Sequence, residues 1–182
     1  MIPARIHQIW LTDRPMPESQ KTWCKTWKEK HPTWEYKLWD DSGWDEVGGE
    51  EYWYNKLNLQ GIHPGITSDV LRALLINKFG GFYADTDAEC LQSFDHLRNY
   101  RFVCGFDKAP VIMGAVFGGT VGNAITTELT SRFRPTGELL MRIGCGLFSD
   151  TVKDLLCQND LVLGSRSFSR YCNHHYALSW CK

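Results

Sequence analysis

The chain has 182 residues, 43% of them hydrophobic and 23% charged, with 20 Lys and Arg against 21 Asp and Glu for a formal net charge of -1. At roughly 100 to 200 residues per domain this suits a single domain spanning residues 1–182. The composition excludes a disordered or collagen-like chain, and the balanced charge excludes a basic surface built to attract nucleic acid or an anionic membrane. The 7 Cys include no CxxC pair and form an odd set, so neither a zinc knuckle nor a closed disulfide framework is expected, and they read as reduced thiols. No apolar run is long enough for a signal peptide or a transmembrane helix.

In chain order, Arg5 to Trp10 alternates and runs into Thr12-Asp13-Arg14-Pro15, which predicts a short strand ending in a loop. Glu18 to Lys30 sets Trp23 and Trp27 four apart among Lys and Glu and then meets His31-Pro32, the pattern of an amphipathic helix with a proline stop. Trp34, Tyr36 and Leu38 alternate with Glu35 and Lys37 as in a half-buried strand, and Gly43 to Gly61 reads as a short helix or an irregular segment. From Gly65 to Phe79 the residues Ile66, Val70, Leu71, Leu74, Leu75 and Phe79 recur at helical spacing, with Asp69 and Arg72 on the opposite side and Gly80-Gly81 as the stop. Phe82-Tyr83-Ala84 then forms a short apolar strand leading into Asp85-Thr86-Asp87. Arg101 to Phe106 and Val111 to Phe117 read as strands, Asn123 to Phe133 and Leu147 to Leu156 as helices, and Leu161 to Leu163 as the last strand. Interleaved strands and helices predict an α/β fold with a mainly parallel central sheet, whose ligands lie beyond the carboxyl ends of its strands.

The period of two in a strand puts Asp85 and Asp87 on one side of the extended chain, at that carboxyl end. Paired carboxylates there are costly unless a cation neutralises them, and hard oxygen ligands favour Mg²⁺ or Mn²⁺. The structural alternative is a pair of loop aspartates making Asx-turns. Asp69 lies 16 residues before Asp85, with Arg72 on the same helical face one turn later. An isolated pair of that kind serves structure as readily as chemistry.

Thr67 to Arg72 followed by Lys78 to Asp87 resembles the sugar-binding region of DXD glycosyltransferases, specifically glycosyltransferase family 32. Ile2-Pro3 with Ile6-His7-Gln8-Ile9-Trp10 is similar to that family's opening strand, and Pro32 to Asp40 to its second. His174-His175-Tyr176 with Ser179-Trp180 is similar to its closing signature, so the resemblance spans nearly the whole chain. Gly144-Cys145-Gly146-Leu147 resembles an acceptor-side loop but departs from it, with Cys145 where Pro is frequent.

The resemblance implies a GT-A (Rossmann-like nucleotide-diphospho-sugar transferase) fold, a UDP- or GDP-hexose donor, a glycan or other hydroxyl acceptor, Mn²⁺ or Mg²⁺, and retention of configuration at the anomeric carbon. Carried over by motif, Trp10 stacks on the donor's base, Asp69 and Arg72 hold the sugar, and Asp85 lies beside the sugar-nucleotide and the metal. Asp87 binds the metal, His174 or His175 is its further protein ligand, and Ser179 and Trp180 meet the β-phosphate. The structural alternatives are that Trp10 is core and the two histidines are surface residues near a chain end. A compact cytoplasmic enzyme of bacterial or viral origin, in polysaccharide biosynthesis, is the simplest expectation. A strand followed by DxD also opens haloacid-dehalogenase phosphatases, but Glu89 stands where those carry Thr or Val. The remaining alternatives are a non-catalytic nucleotide-sugar binding module and a nucleotide-sugar hydrolase.

Overall fold

A computed structural model describes residues 1–106, 111–134 and 145–177. Six strands form one sheet in the order β2 (Glu35–Trp39), β1 (Arg5–Ile9), β3 (Gly81–Ala84), β6 (Ile112–Gly119), β5 (Phe102–Phe106) and β7 (Asp160–Leu163). β1 runs parallel to β2 and β3, and β5 parallel to β7, while β6 alone is antiparallel to both of its neighbours. The sheet is therefore mostly parallel, as the interleaving predicts.

The alternation of buried side chains gives the sheet two covered faces. Tyr83, Phe102 and Phe117 look toward α4 (Pro64–Phe79), α5 (Ala124–Ser131) and α6 (Cys145–Leu155), where Leu71, Leu75, Ile125 and Phe148 complete one core. Phe82, Ala84, Val103 and Val116 look the other way, toward Trp27 of α1 (Glu18–Lys30) and Phe168 of the short helix α7 (Ser165–Phe168). Burying aromatic rings on both faces stabilises this sheet, since each such ring removes about 150 to 250 Å² from water.

His7 of β1 is fully buried and ties three elements together. Its Nδ1 accepts from Trp39 Nε1 at 2.9 Å, and its Nε2 donates to the carbonyl of Gly80 at 2.9 Å. That carbonyl closes α4, where Gly80 takes φ 63° and its N–H bonds back to Ile76. Burial holds His7 neutral, with its pKa pushed down to about 4.

The departures from the predicted elements have simple causes. Of the predicted inward face, Trp34 is buried and Tyr36 half-buried against the Trp27 core, whereas Leu38 at the end of edge strand β2 is exposed and Trp39, on the opposite face, is buried in the α4 core. Gly43 to Gly61 resolves into two short helices, α2 (Ser42–Glu46) and α3 (Glu50–Leu57), which bury Trp44, Trp53 and Leu57. Leu161 to Leu163 lies in β7, but β7 is not the last strand. Residues 88–90 (β4, Ala88–Cys90) and 172–174 (β8, Cys172–His174) pair as an antiparallel ribbon, with Ala88 opposite His174. Three-residue strands carry too little pattern to read from sequence.

Candidate active site

The carboxyl ends of β1 and β3 meet at one edge of the sheet, and β3 delivers Asp85 there. Asp85 shares a face with Tyr83, whose hydroxyl donates to its Oδ1 at 2.6 Å. On the neighbouring helix α4, Arg72 is buried and reaches Asp69 Oδ1 at 2.6 Å and Asp85 Oδ1 at 3.4 Å, so one guanidinium serves both carboxylates. Gly114 of β6 makes room for it: a Cβ there would lie 2.6 Å from Arg72 Nη2. Gln8 of β1 donates from Nε2 to the Asp85 carbonyl at 3.1 Å and accepts the Tyr36 hydroxyl at 2.6 Å, fixing the backbone where the strand stops.

Asp87 joins Asp85 by a turn and not by the pleat. The chain leaves the extended conformation after Ala84, and the Ala88 N–H bonds back to the Asp85 carbonyl at 3.0 Å. This closes a four-residue turn that places both carboxylates at its mouth. The ribbon supplies the third group: His174 Nε2 is 3.1 Å from Asp87 Oδ1 and 3.8 Å from Asp85 Oδ2. One ligand atom from each of Asp85, Asp87 and His174 fits within a span of 4.8 Å, the grouping a single metal ion requires.

His175 is not brought to this cluster. Successive residues of a strand end face opposite ways, and His175 stacks on Trp23 of α1 at 4.0 Å between ring centroids, with Nε2 2.9 Å from Glu89. Trp10 stands half-buried at the carboxyl end of β1, outside both cores, with its indole N–H donating to the Arg14 carbonyl at 2.9 Å. Ser179 and Trp180 lie outside the described residues, as does Gly144, while Cys145, Gly146 and Leu147 open helix α6.

Charge at the cluster is divided unequally. Burial raises the Asp69 carboxyl, Arg72 pulls it back and Asp85 raises it again, leaving it up at about 6. Burial also raises Asp85 despite Arg72 and the Tyr83 hydroxyl. Asp87 is the exception: burial opposes its ionisation, but contacts with His174 and the N–H of Ala177 outweigh it and hold Asp87 below the ordinary carboxylate range. Tyr83, Gln8, Gly114 and Ala177 support the cluster without having been singled out in the sequence. For Tyr83 a signal existed, since it alternates with Asp85 on one strand.

This arrangement, a mostly parallel sheet with a DxD turn at the end of a central strand, is that of a GT-A-type glycosyltransferase fold. Residues 17–103 match the family described as the glycosyltransferase sugar-binding region containing the DXD motif. The chain is 33% identical over 100 residues to inositol phosphoceramide mannosyltransferase 3 of Schizosaccharomyces pombe, covering 54% of this chain and 28% of the relative. It is 32% identical over 98 residues to a mannosyl phosphorylinositol ceramide synthase of Saccharomyces cerevisiae, covering 53% and 25%. The initiation-specific alpha-1,6-mannosyltransferase of the same yeast is 31% identical over 102 residues, covering 52% and 21%. The chain thus spans about a quarter of the length of these yeast relatives. Among solved structures, the PaToxG glycosyltransferase superposes with a TM-score of 0.65 over 84% of this chain and 69% of its own, at 16% identity, which speaks to the fold. Among the described residues no helix is long and apolar enough to cross a membrane.

Proposed function

We propose that the chain is a metal-dependent, retaining glycosyltransferase that moves a hexose from a UDP- or GDP-hexose to a hydroxyl of a glycan acceptor. The observation that carries this reading is the convergence of Asp85, Asp87 and His174 beside the Asp69–Arg72 pair, inside a DXD region. Two carboxylates and an imidazole fit a divalent cation, and the imidazole favours Mn²⁺ over Mg²⁺. Such a cation, when bound, supplies Lewis-acid stabilisation of the negative charge on a departing diphosphate.

The chain's own residues bind and orient. Trp10 offers a flat face at the sheet edge to the donor's base, a contact worth about 1 to 3 kcal/mol. Asp69 and Arg72 hold the sugar, and Asp85, buttressed by Tyr83 and Arg72, fixes it against the diphosphate. Ser179 and Trp180 are assigned to the β-phosphate. The acceptor oxygen bonds to the anomeric carbon as that carbon's bond to the diphosphate oxygen breaks. The diphosphate leaves with the bonding pair, and the acceptor's proton passes to it. We place this activity in polysaccharide synthesis in the cytoplasm, with residues 1–182 as one catalytic domain.

The test is a panel of UDP- and GDP-hexoses with Mn²⁺ or Mg²⁺, read by thermal stabilisation and by release of nucleoside diphosphate. Cation-dependent stabilisation and release with one nucleotide class are expected. Full turnover in excess chelator would refute metal dependence, and stabilisation without release would identify a binding module instead.

A further inference from the structure

Two imidazoles stand side by side at the end of β8, and only one of them faces the carboxylates. The strand has three residues, Cys172–His174, and successive residues at its end face opposite ways. A slip of one residue would turn His174 away from Asp87 and bring its neighbour His175 in its place. Three ladder positions specify the register weakly, so contacts from outside the ribbon decide which imidazole is presented.

Helix α1 supplies those contacts. Trp27 Nε1 donates to the Ala88 carbonyl at 2.7 Å, and Thr26 Oγ1 accepts from the Cys90 N–H at 2.8 Å, so one turn of the helix fixes β4. Trp23 lies one turn earlier on the same helical face as Trp27. Its ring is stacked on that of His175, with centroids 4.0 Å apart and planes 8° from parallel. At the edge of the imidazole, Nε2 donates to the Glu89 carboxylate at 2.9 Å, and the His175 backbone N–H donates to the Asp87 carbonyl at 3.0 Å. His175 is therefore held on its face by α1, at its edge by β4 and through its backbone by the turn that carries Asp87.

The groups that reach Asp87 flank this held residue. On one side His174 Nε2 is 3.1 Å from Asp87 Oδ1, and on the other the Ala177 N–H donates to Asp87 Oδ2 at 2.9 Å. Between them Tyr176 takes φ 50°, so the chain reverses directly after the stacked ring. The position of His175 thus fixes where both partners of Asp87 fall. Stacking asks only for a flat aromatic ring, whereas ligation of a metal asks for a ring nitrogen, and that difference separates the two roles His175 could play.

We propose that Trp23, His175 and Glu89 form a clamp that holds His174 in register against Asp87 and Asp85, with His175 a positioning residue and not a ligand. The proposal rests on the transferase reading above for what the cluster does. It adds Trp23 and Glu89 to the residues on which the geometry of the cluster depends.

Two measurements on the full chain test it, one with metal and one without. Mn²⁺ affinity, read by titration calorimetry, should fall about tenfold in Trp23→Ala and in His175→Ala. It should return to near the wild-type value in Trp23→Phe and His175→Phe, which keep a stacked ring. In metal-free protein, hydrogen exchange of the Ala177 N–H should quicken about tenfold in both alanine variants. Exchange of the Leu91 N–H, which donates to the Tyr171 carbonyl at the far end of the ribbon, should stay as in wild type. Glu89→Ala, which removes only the contact at the imidazole edge, should shift both readouts in the same direction and serves should an alanine variant not fold. Equal loss of affinity in His175→Phe and His175→Ala, with Trp23→Ala unaffected, would make His175 a ligand and overturn the clamp. Unchanged Ala177 exchange in the folded variants would also overturn it, whatever their melting temperatures. Wild type that binds no Mn²⁺ while Ala177 exchange still quickens in the alanine variants would overturn the metal reading and leave the clamp standing.

Discussion

The six-stranded sheet and the two-stranded ribbon contribute to the same cluster but are built differently. The sheet is covered on both faces by aromatic and aliphatic cores, and it anchors Asp85 through Tyr83, Arg72 and Gln8. The ribbon has three residues in each strand and leans on α1: Ala88, Cys90 and Cys172 are buried in the Trp27 core, the Ala88 carbonyl accepts from Trp27 Nε1 at 2.7 Å, and the Cys90 N–H donates to Thr26 Oγ1 at 2.8 Å. Asp85 is thus held by the sheet and α4, while Asp87 and His174 meet where the turn after β3 runs into the ribbon.

The sharpest break in that comparison is chemical. Asp87→Asn should lower cation-dependent release of nucleoside diphosphate on the order of a hundredfold or more. Its melting temperature should reflect a stability change within about 1 kcal/mol, because Asn retains an acceptor for the Ala177 N–H. Unfolding instead of inactivation would make the turn structural.

Acid tests the sheet. His7 has its folded pKa lowered to about 4, so its contribution to stability is complete above the unfolded value of 6.5 and is lost as pH falls toward 4. About 3 kcal/mol should disappear across that window. Urea titrations at pH 7 and pH 4.5, with NMR of the His7 ring to follow its protonation, would check this; a ring that titrates near 6.5 in the folded protein would contradict it.

The ribbon should respond in ligand affinity more than in stability. His174→Ala is expected to weaken Mn²⁺ binding about 10 to 100-fold with the fold retained, as calorimetry can measure. Unchanged affinity would remove His174 from the metal reading.

The smallest effect concerns Asp69. Its folded pKa is raised to about 6, so its stabilisation is complete below the unfolded value near 4 and is lost as pH rises through 6, opposite in sign to His7. Asp69→Asn should flatten that loss by about 1 kcal/mol, the missing Arg72 pairing offsetting part of the gain. Denaturant midpoints at pH 4 and 7, in the absence of metal, separate the two slopes.

Helices α1 and α4 and the strands of the main sheet were readable because each is long or periodic enough for local pattern to dominate. Glu18–Lys30 ends at His31-Pro32, and Pro64–Phe79 ends at two glycines. The same strings carry the resemblance to DXD glycosyltransferases, so Asp69, Arg72, Asp85 and Asp87 could be named together from sequence. Tertiary structure decided what depends on distant contact. It chose His174 over His175 for the cluster, because the pairing of β8 with β4 sets which side chain faces Asp87, and a one-residue change of register would exchange them. It replaced the pleat by a turn as the reason Asp85 and Asp87 meet. Local sequence sets the period of an element; only packing sets what its side chains face.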